Sequence, residues 1–270
     1  MNVALFQQAI VWEDPEANYR LVERQLEGVP KEVDIIVLPE TFSTGFSDNM
    51  ARMAEPPQGA TLEFARHMAQ RHDALFVATW TVQEMPGGPV FNRLHWVAPD
   101  GSYGSYDKAH TFRMSSEAQQ LGRGRSIRTF EWRGWRVRPA ICYDLRFPVW
   151  LRNGYNAMRG EMDYDLLLVC ANWPGSRHQA WSTLLRARAI ENLCYAVGVN
   201  RVGEDGVGIG YAGYSAAVSF KGETLVACRP DEPDLQWVSL DKEALQLFRS
   251  HWPFYLDADK FTLHPDIIPE

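Results

Sequence analysis

Short unbroken apolar runs, separated by amphipathic stretches, set the rhythm of this chain. Residues 3–11 read as a buried strand, interrupted only by Gln7 and Gln8. Asp14 then supplies a helix N-cap and Pro15 a proline at the first helical position, which predicts a helix to about Gly28. The run DIIVL at 34–38 is what a sheet covered on both faces requires, and it stops at Pro39 and Glu40. A helix near 61–72 leads into a second apolar run at 74–82. This strand–helix alternation predicts βαβ units.

The middle of the chain changes character. Residues 92–97 and 103–106 flank the turn PDG at 99–101 and predict a hairpin. Residues 107–127, with Gly122 and Gly124, read as a long loop of the kind that is usually functional inside a compact domain. A second hairpin, 128–132 with 135–141, turns at Arg133 and Gly134; it puts Val137 and Ile141 on one face and ends at Cys142. The polar stretch 153–164 reads as a surface insertion. Alternation then resumes with a strand at 165–171, a helix at 177–195 with Trp181, Leu184, Leu185 and Ile190 inward, and a strand at 196–202. A Gly-rich loop at 203–213 precedes a hairpin of 215–220 and 223–228, turned at Lys221 and Gly222. Asp241 caps a last helix that runs to about His251.

Composition fits this α/β reading. With 46% apolar, 12% aromatic and 23% charged residues in 270, the chain is no disordered polymer. A chain of this size buries roughly three quarters of its unfolded surface. No Pro/Gly/Ser-rich linker divides it, so residues 1–270 read as a single domain. The net charge of -7 argues against a general nucleic-acid or anionic-membrane binder. Four cysteines, at 142, 170, 194 and 228, contain no C-x-x-C and make neither a disulfide framework nor a zinc ribbon. The first residues lack the basic region of a signal peptide, and no window approaches 18 apolar residues. A cytoplasmic location with reduced thiols is the expectation. The 203–213 glycines match neither phosphate-binding pattern.

Three residues at strand ends carry candidate chemistry. Cys142 sits where an apolar strand gives way to YDLR, whereas Cys170, Cys194 and Cys228 read as inert buried thiols. Glu40 follows a buried run directly, where a charge needs a partner; alone, it also reads as a surface residue just past a strand. Lys108 follows the 103–106 strand and alone reads as solvated. Together they form a workable set. A cation stabilises a thiolate and an oxyanion, and a carboxylate moves protons, which suffices to hydrolyse a carbon–nitrogen bond through a thioester.

LPETF at 38–42, DKAH at 107–110 and CYDLRFP at 142–148 resemble the three signature blocks of the nitrilase (carbon–nitrogen hydrolase) superfamily. The resemblance spans essentially the whole chain. It implies a four-layer α-β-β-α sandwich, with Glu40, Lys108 and Cys142 as the catalytic triad. It implies an oxyanion hole of Lys108 and the Tyr143 backbone N–H, a second glutamate at Glu117, no metal or cofactor, and a tendency to dimerise. HTFRM at 110–114, CYDLRFPVW at 142–150 and ANWP at 171–174 are most similar to bacterial omega-amidases, which deamidate 2-oxoglutaramate and related omega-amides. Arg113 and Trp173 then become candidate substrate contacts, Arg113 for a free carboxylate. Arg113 otherwise pairs with Glu117, and Trp173 is otherwise a core or interface residue. Arg146 reads as structural, paired with an acid such as Asp144. The rival readings are another amidase or N-carbamoyl amino-acid hydrolase of the superfamily, a Cys–His hydrolase using His110, a redox-sensing role for Cys142, and a non-catalytic binding protein.

Overall fold

Alternate residues of the strand Asn2–Gln7 face two different cores. Val3 and Leu5 point into the space between two sheets, while Ala4 and Phe6 point outward under a layer of helices. The same division recurs in Ile35–Val37, with Ile35 and Val37 on one side and Ile36 on the other. A strand buried on both faces needs apolar residues at every position, which is why these runs are continuous. Each such Val, Leu or Ile contributes about 1.5–3 kcal/mol by leaving water.

This computed structural model describes residues 1–264. Its first six-stranded sheet runs in the order Asp234–Ser239, Asn2–Gln7, Ile35–Val37, Leu75–Gln83, Val90–Val97, Tyr103–Asp107. The second runs Thr224–Ala227, Ala216–Val218, Tyr195–Asn200, Leu166–Ala171, Trp135–Ile141, Phe130–Trp132. Helices Pro15–Leu26 and Ala60–His72 cover the outer face of the first sheet. Helix His178–Glu191 packs Trp181, Leu185 and Ala189 against the second. The result is the four-layer α-β-β-α sandwich. No helix among the described residues is long and apolar enough to cross a membrane.

Two features decide where chemistry can sit. The central strands Ile35–Val37 and Leu75–Gln83 are parallel, and two antiparallel steps bring Tyr103–Asp107 back to their direction. In the second sheet Trp135–Ile141, Leu166–Ala171 and Tyr195–Asn200 are all parallel. Carboxyl ends of several strands therefore gather at one edge of the sandwich, where open α/β sheets bind ligands.

Several elements differ from the sequence expectation. The first strand stops at Gln7, whose side-chain amide donates to the carbonyls of Arg229 (2.6 Å) and Glu232 (2.9 Å) in the loop before the neighbouring edge strand. The strand Asp234–Ser239 was not expected, since an edge strand half open to solvent has no apolar run; Trp237 is 51% exposed. Helix His178–Glu191 ends four residues early, and Ile190 is exposed instead of inward. Residue 190 lies about 140° around the helix from Leu185, and Ala189 takes the inward place. The 203–213 loop is a small hairpin, Val202–Glu204 with Gly210–Ala212. The 153–164 stretch is surface only at its tip: Met158 is exposed, but Asn153, Met162 and Tyr164 are buried around a two-residue hairpin.

Candidate active site

Glu40, Lys108, Cys142 and Asn172 each follow a strand of the gathered edge. Glu40 and Lys108 come from the first sheet, and Cys142 and Asn172 from the second, so the site is built across the sandwich. Thr41 (φ 43°) and Cys142 (φ 41°) both occupy the left-handed region. A side chain there costs on the order of 1–3 kcal/mol, and such outliers persist where surrounding contacts over-determine them. At Cys142 the turn ends the strand abruptly and begins the helical turn Cys142–Arg146.

Three charged groups meet in the dry interior. The Lys108 ammonium donates to Glu40 Oε1 (2.8 Å) and to Glu117 Oε1 and Oε2 (2.8 and 2.9 Å). Its ion-pair partners have fully buried side chains. Glu40 Oε2 accepts the Asn172 backbone N–H (2.9 Å), and the Asn172 side chain holds the Glu40 carbonyl (2.9 Å) and Thr41 Oγ1 (2.8 Å). Glu117 Oε2 accepts the Phe112 N–H (2.6 Å), and a single helical turn, Glu117–Gln120, presents this residue within the long loop. Asn92 donates to both carboxylates.

The electrostatics follow from burial and charge count. Burial opposes the Lys108 charge, but Glu117, Glu40 and Cys142 outweigh it and hold the ammonium above its ordinary range. Burial pushes the Glu117 carboxyl up against the pull of Lys108. Burial and the neighbouring Glu40 carboxylate push the Cys142 thiol well up, with Lys108 working the other way. The thiol therefore rests protonated beside a carboxylate. Ordinary buried thiols, Cys170 and Cys194, are raised by burial first of all.

Cys142 opens onto a cavity of about 580 Å³, lined also by Lys108, Tyr143, Arg146, Asn172, Trp173, Arg177 and Tyr211. His110 is not among its walls. Its ring is held by Asp144 (2.8 Å) and stacks on Phe147 (3.8 Å), so the expected rival base faces away from the thiol's cavity.

Residues 2–250 match the family model for carbon-nitrogen hydrolases. The chain belongs to the carbon–nitrogen hydrolase family. An omega-amidase YafV from Yersinia enterocolitica is 43% identical over 97% of this chain and 98% of its own length. A 2-oxoglutaramate amidase from Bacillus subtilis (strain 168) is 30% identical, covering 76% of this chain and 77% of that one. The solved structure of XC1258 from Xanthomonas campestris, a CN-hydrolase superfamily protein with an arsenic adduct in its active site, matches with TM-score 0.94 at 41% identity. It covers 98% of this chain and 99% of that one. This carbon–nitrogen hydrolase is thus an enzyme that hydrolyses amide C–N bonds.

Two expectations about the pocket are corrected in this carbon–nitrogen hydrolase. Arg113 is exposed and does not line the cavity, because Glu117 pins the backbone at Phe112 and the next residue turns outward. It does not pair with Glu117 either, whose oxygens serve Lys108, Asn92 and Phe112. Arg146 does not pair with Asp144, which is filled by Tyr106, His110 and the Ile141 N–H. Its guanidinium lies 4.7 Å over the Trp173 ring at the cavity wall. Trp173 is buried, with its indole N–H on the Arg177 carbonyl (3.0 Å).

The opposite wall went unread in the sequence. Asp205 accepts the N–H groups of Val207 (3.0 Å) and Ile209 (2.9 Å) and the hydroxyl of Tyr211 (3.0 Å), which shapes the hairpin tip facing the cavity. Beneath it the fully buried Arg201 donates to the carbonyls of Ile10, Val202 and Glu204 and lies 4.6 Å from the Tyr211 ring centre. Glycine spacing gave no hint of this. Asn172 was within reach of sequence reasoning, as the polar residue ending an apolar strand inside ANWP.

Proposed function

We propose that this enzyme deamidates small omega-amides carrying a free carboxylate, of the 2-oxoglutaramate or succinamate type, with Glu40, Lys108 and Cys142 as the catalytic triad. One observation carries the substrate class: the cavity is lined by the Cys142 thiol and the Lys108 ammonium, with the Glu40 carboxylate bonded behind that ammonium, and by Arg146, which has no carboxylate partner among the described residues. A planar guanidinium held over an indole ring is preorganised to grip a carboxylate bidentately. Arg177, also at the wall, adds a second positive charge.

Cys142 Sγ attacks the amide carbon as its proton passes to Glu40. The oxyanion is received by the Tyr143 N–H and by Lys108, which lines the cavity and turns to it one N–H now shared with Glu117. Glu40 then gives the proton to the departing nitrogen, the C–N bond breaks, and ammonia leaves a thioester. Water attacks the thioester carbon, losing its proton to Glu40. The thiolate leaves and takes that proton back, releasing the acid. Glu117 holds Lys108 and keeps its charge where the oxyanion forms. Trp173 forms the platform for Arg146. We assign the enzyme to the cytoplasm and to a homodimer or higher homo-oligomer; the exposed Leu247, Trp252, Phe254 and Leu256 support self-association, which sedimentation equilibrium checks.

Ammonia release across a panel decides the substrate class. 2-Oxoglutaramate and succinamate are expected to exceed neutral amides, nitriles and N-carbamoyl amino acids by at least about 30-fold in kcat/KM. Preference for a neutral amide or a carbamoyl acid would overturn the assignment. Cys142→Ala is expected to abolish turnover with the fold retained.

A further inference from the structure

Asn92 lies in the middle of the strand Val90–Val97, opposite Thr81, and is 1% exposed. Apart from Lys108 itself, it alone among the described residues donates to both carboxylates of the charged cluster. Its Nδ2 donates to Glu40 Oε1 (2.8 Å) and to Glu117 Oε1 (3.2 Å), and its backbone carbonyl accepts the backbone N–H of Lys108 (2.9 Å). The two protons of one amide are divided between two carboxylates. Its Oδ1 is buried with no hydrogen-bond partner among the described residues.

That arrangement is costly as structure. An apolar side chain at this position would spare the sheet an orphaned buried carbonyl. The amide orientation is also dictated by charge, because the flipped form would aim Oδ1 at two carboxylates. What the amide supplies is a neutral donor. A second cation here would neutralise both acids and weaken Glu40 as a base, whereas an N–H fixes the carboxylate plane and leaves its charge in place. Together with Lys108 on Oε1 and Asn172 on Oε2, Asn92 leaves Glu40 one orientation.

We propose that Asn92 is a positioning residue, setting the Glu40 carboxylate for proton exchange with Cys142 and, through Glu117, seating the Lys108 ammonium. This rests on the reading of Glu40 as the base. Asn92 does not line the cavity, so its contribution falls on the proton-transfer steps and not on substrate affinity.

The test compares Asn92→Leu, which keeps the approximate volume and removes both donors, with the parent enzyme and with Glu40→Gln. Steady-state kinetics on succinamate, the pH dependence of kcat/KM, the rate of Cys142 alkylation by iodoacetamide and the melting temperature are measured. For Asn92→Leu, kcat is expected to fall about 10- to 100-fold, the range for one donor lost from a charged acceptor, with KM within about threefold. The acid limb of kcat/KM is expected to move up by about one pH unit, because a carboxylate that loses a donor protonates more readily. A folded Asn92→Leu with parental kcat and an unmoved acid limb would overturn the proposal. So would a loss of activity that follows the melting temperature alone. If Asn92→Leu does not fold, Asn92→Ala is judged on the same kcat and acid limb. Full activity in Glu40→Gln would instead overturn the reading of the base, whereas an inactive Glu40→Gln beside an unaffected Asn92→Leu overturns Asn92 alone.

Discussion

The Arg146 guanidinium lies 4.7 Å over the ring of Trp173, and both line the cavity into which Cys142 opens. On the proposed reading the pair takes the substrate's far end and leaves the chemistry to the near end. Arg146→Met keeps the stem and removes the charge. It is expected to lower kcat/KM for succinamate by about 30-fold or more, as for other desolvated charge pairs, and to leave a neutral amide nearly unchanged. Arg146→Lys is expected to restore little, since an ammonium neither stacks flat nor forks. Equal losses on both substrates would move the carboxylate site elsewhere.

In the proposed mechanism Lys108 receives the oxyanion, while Glu40 moves protons in both half-reactions. Lys108→Ala is expected to slow acylation by about 3–4 kcal/mol, the scale of a lost oxyanion donor. It also leaves two buried carboxylates unpaired, so a fall in melting temperature accompanies it. Glu40→Gln is expected to acylate slowly and then stall, because no base activates water. Intact-protein mass spectrometry after succinamate addition checks this: an acyl adduct on Cys142 is expected in Glu40→Gln and not in Cys142→Ala.

His95 makes stability depend on pH. Its ring stacks on Trp80 at 3.8 Å, and burial, then Arg93, pulls it down from 6.5 to about 3. The unfolded chain binds this proton near pH 6.5 and the native state does not. The contribution is therefore complete above that value and is lost as pH falls towards 3, by up to about 1.4 kcal/mol per pH unit. His95→Phe keeps a stacking ring and removes the titration. Urea unfolding between pH 4 and 7 is expected to show a shallower slope in that variant than in the parent.

Arg201 is a buried cation with no carboxylate in hydrogen-bond contact among the described residues, serving three carbonyls under the cavity wall. Arg201→Met strands those carbonyls at roughly 1–3 kcal/mol apiece before relaxation. The melting temperature is expected to fall by several degrees. KM is expected to rise more than kcat falls, because Tyr211 and Asp205 shape the wall and do not touch the reacting atoms. Thermal melts and steady-state kinetics on succinamate check both.

Sequence alone determined the parts governed by local pattern. IIV at 35–37 and LLLVCA at 166–171 had to be buried on both faces, PDG and Arg133-Gly134 had to turn, and Cys142, Glu40 and Lys108 stood out because each follows a strand. Asn92, Arg146 and Arg201 were illegible for a different reason. Each takes its meaning from partners distant in the chain: Asn92 from Glu40 and Glu117, Arg146 from Trp173, and Arg201 from Ile10 and Tyr211. A polar residue in a strand or a loop reads the same whether it faces water or a buried ion cluster. Only the packing of one sheet on the other removes the water, and with water gone hydrogen bonds and charges select the neighbours. For the same reason Arg113, equally basic and two residues from Ser115 on the cavity wall, sits outside while Arg146 sits within.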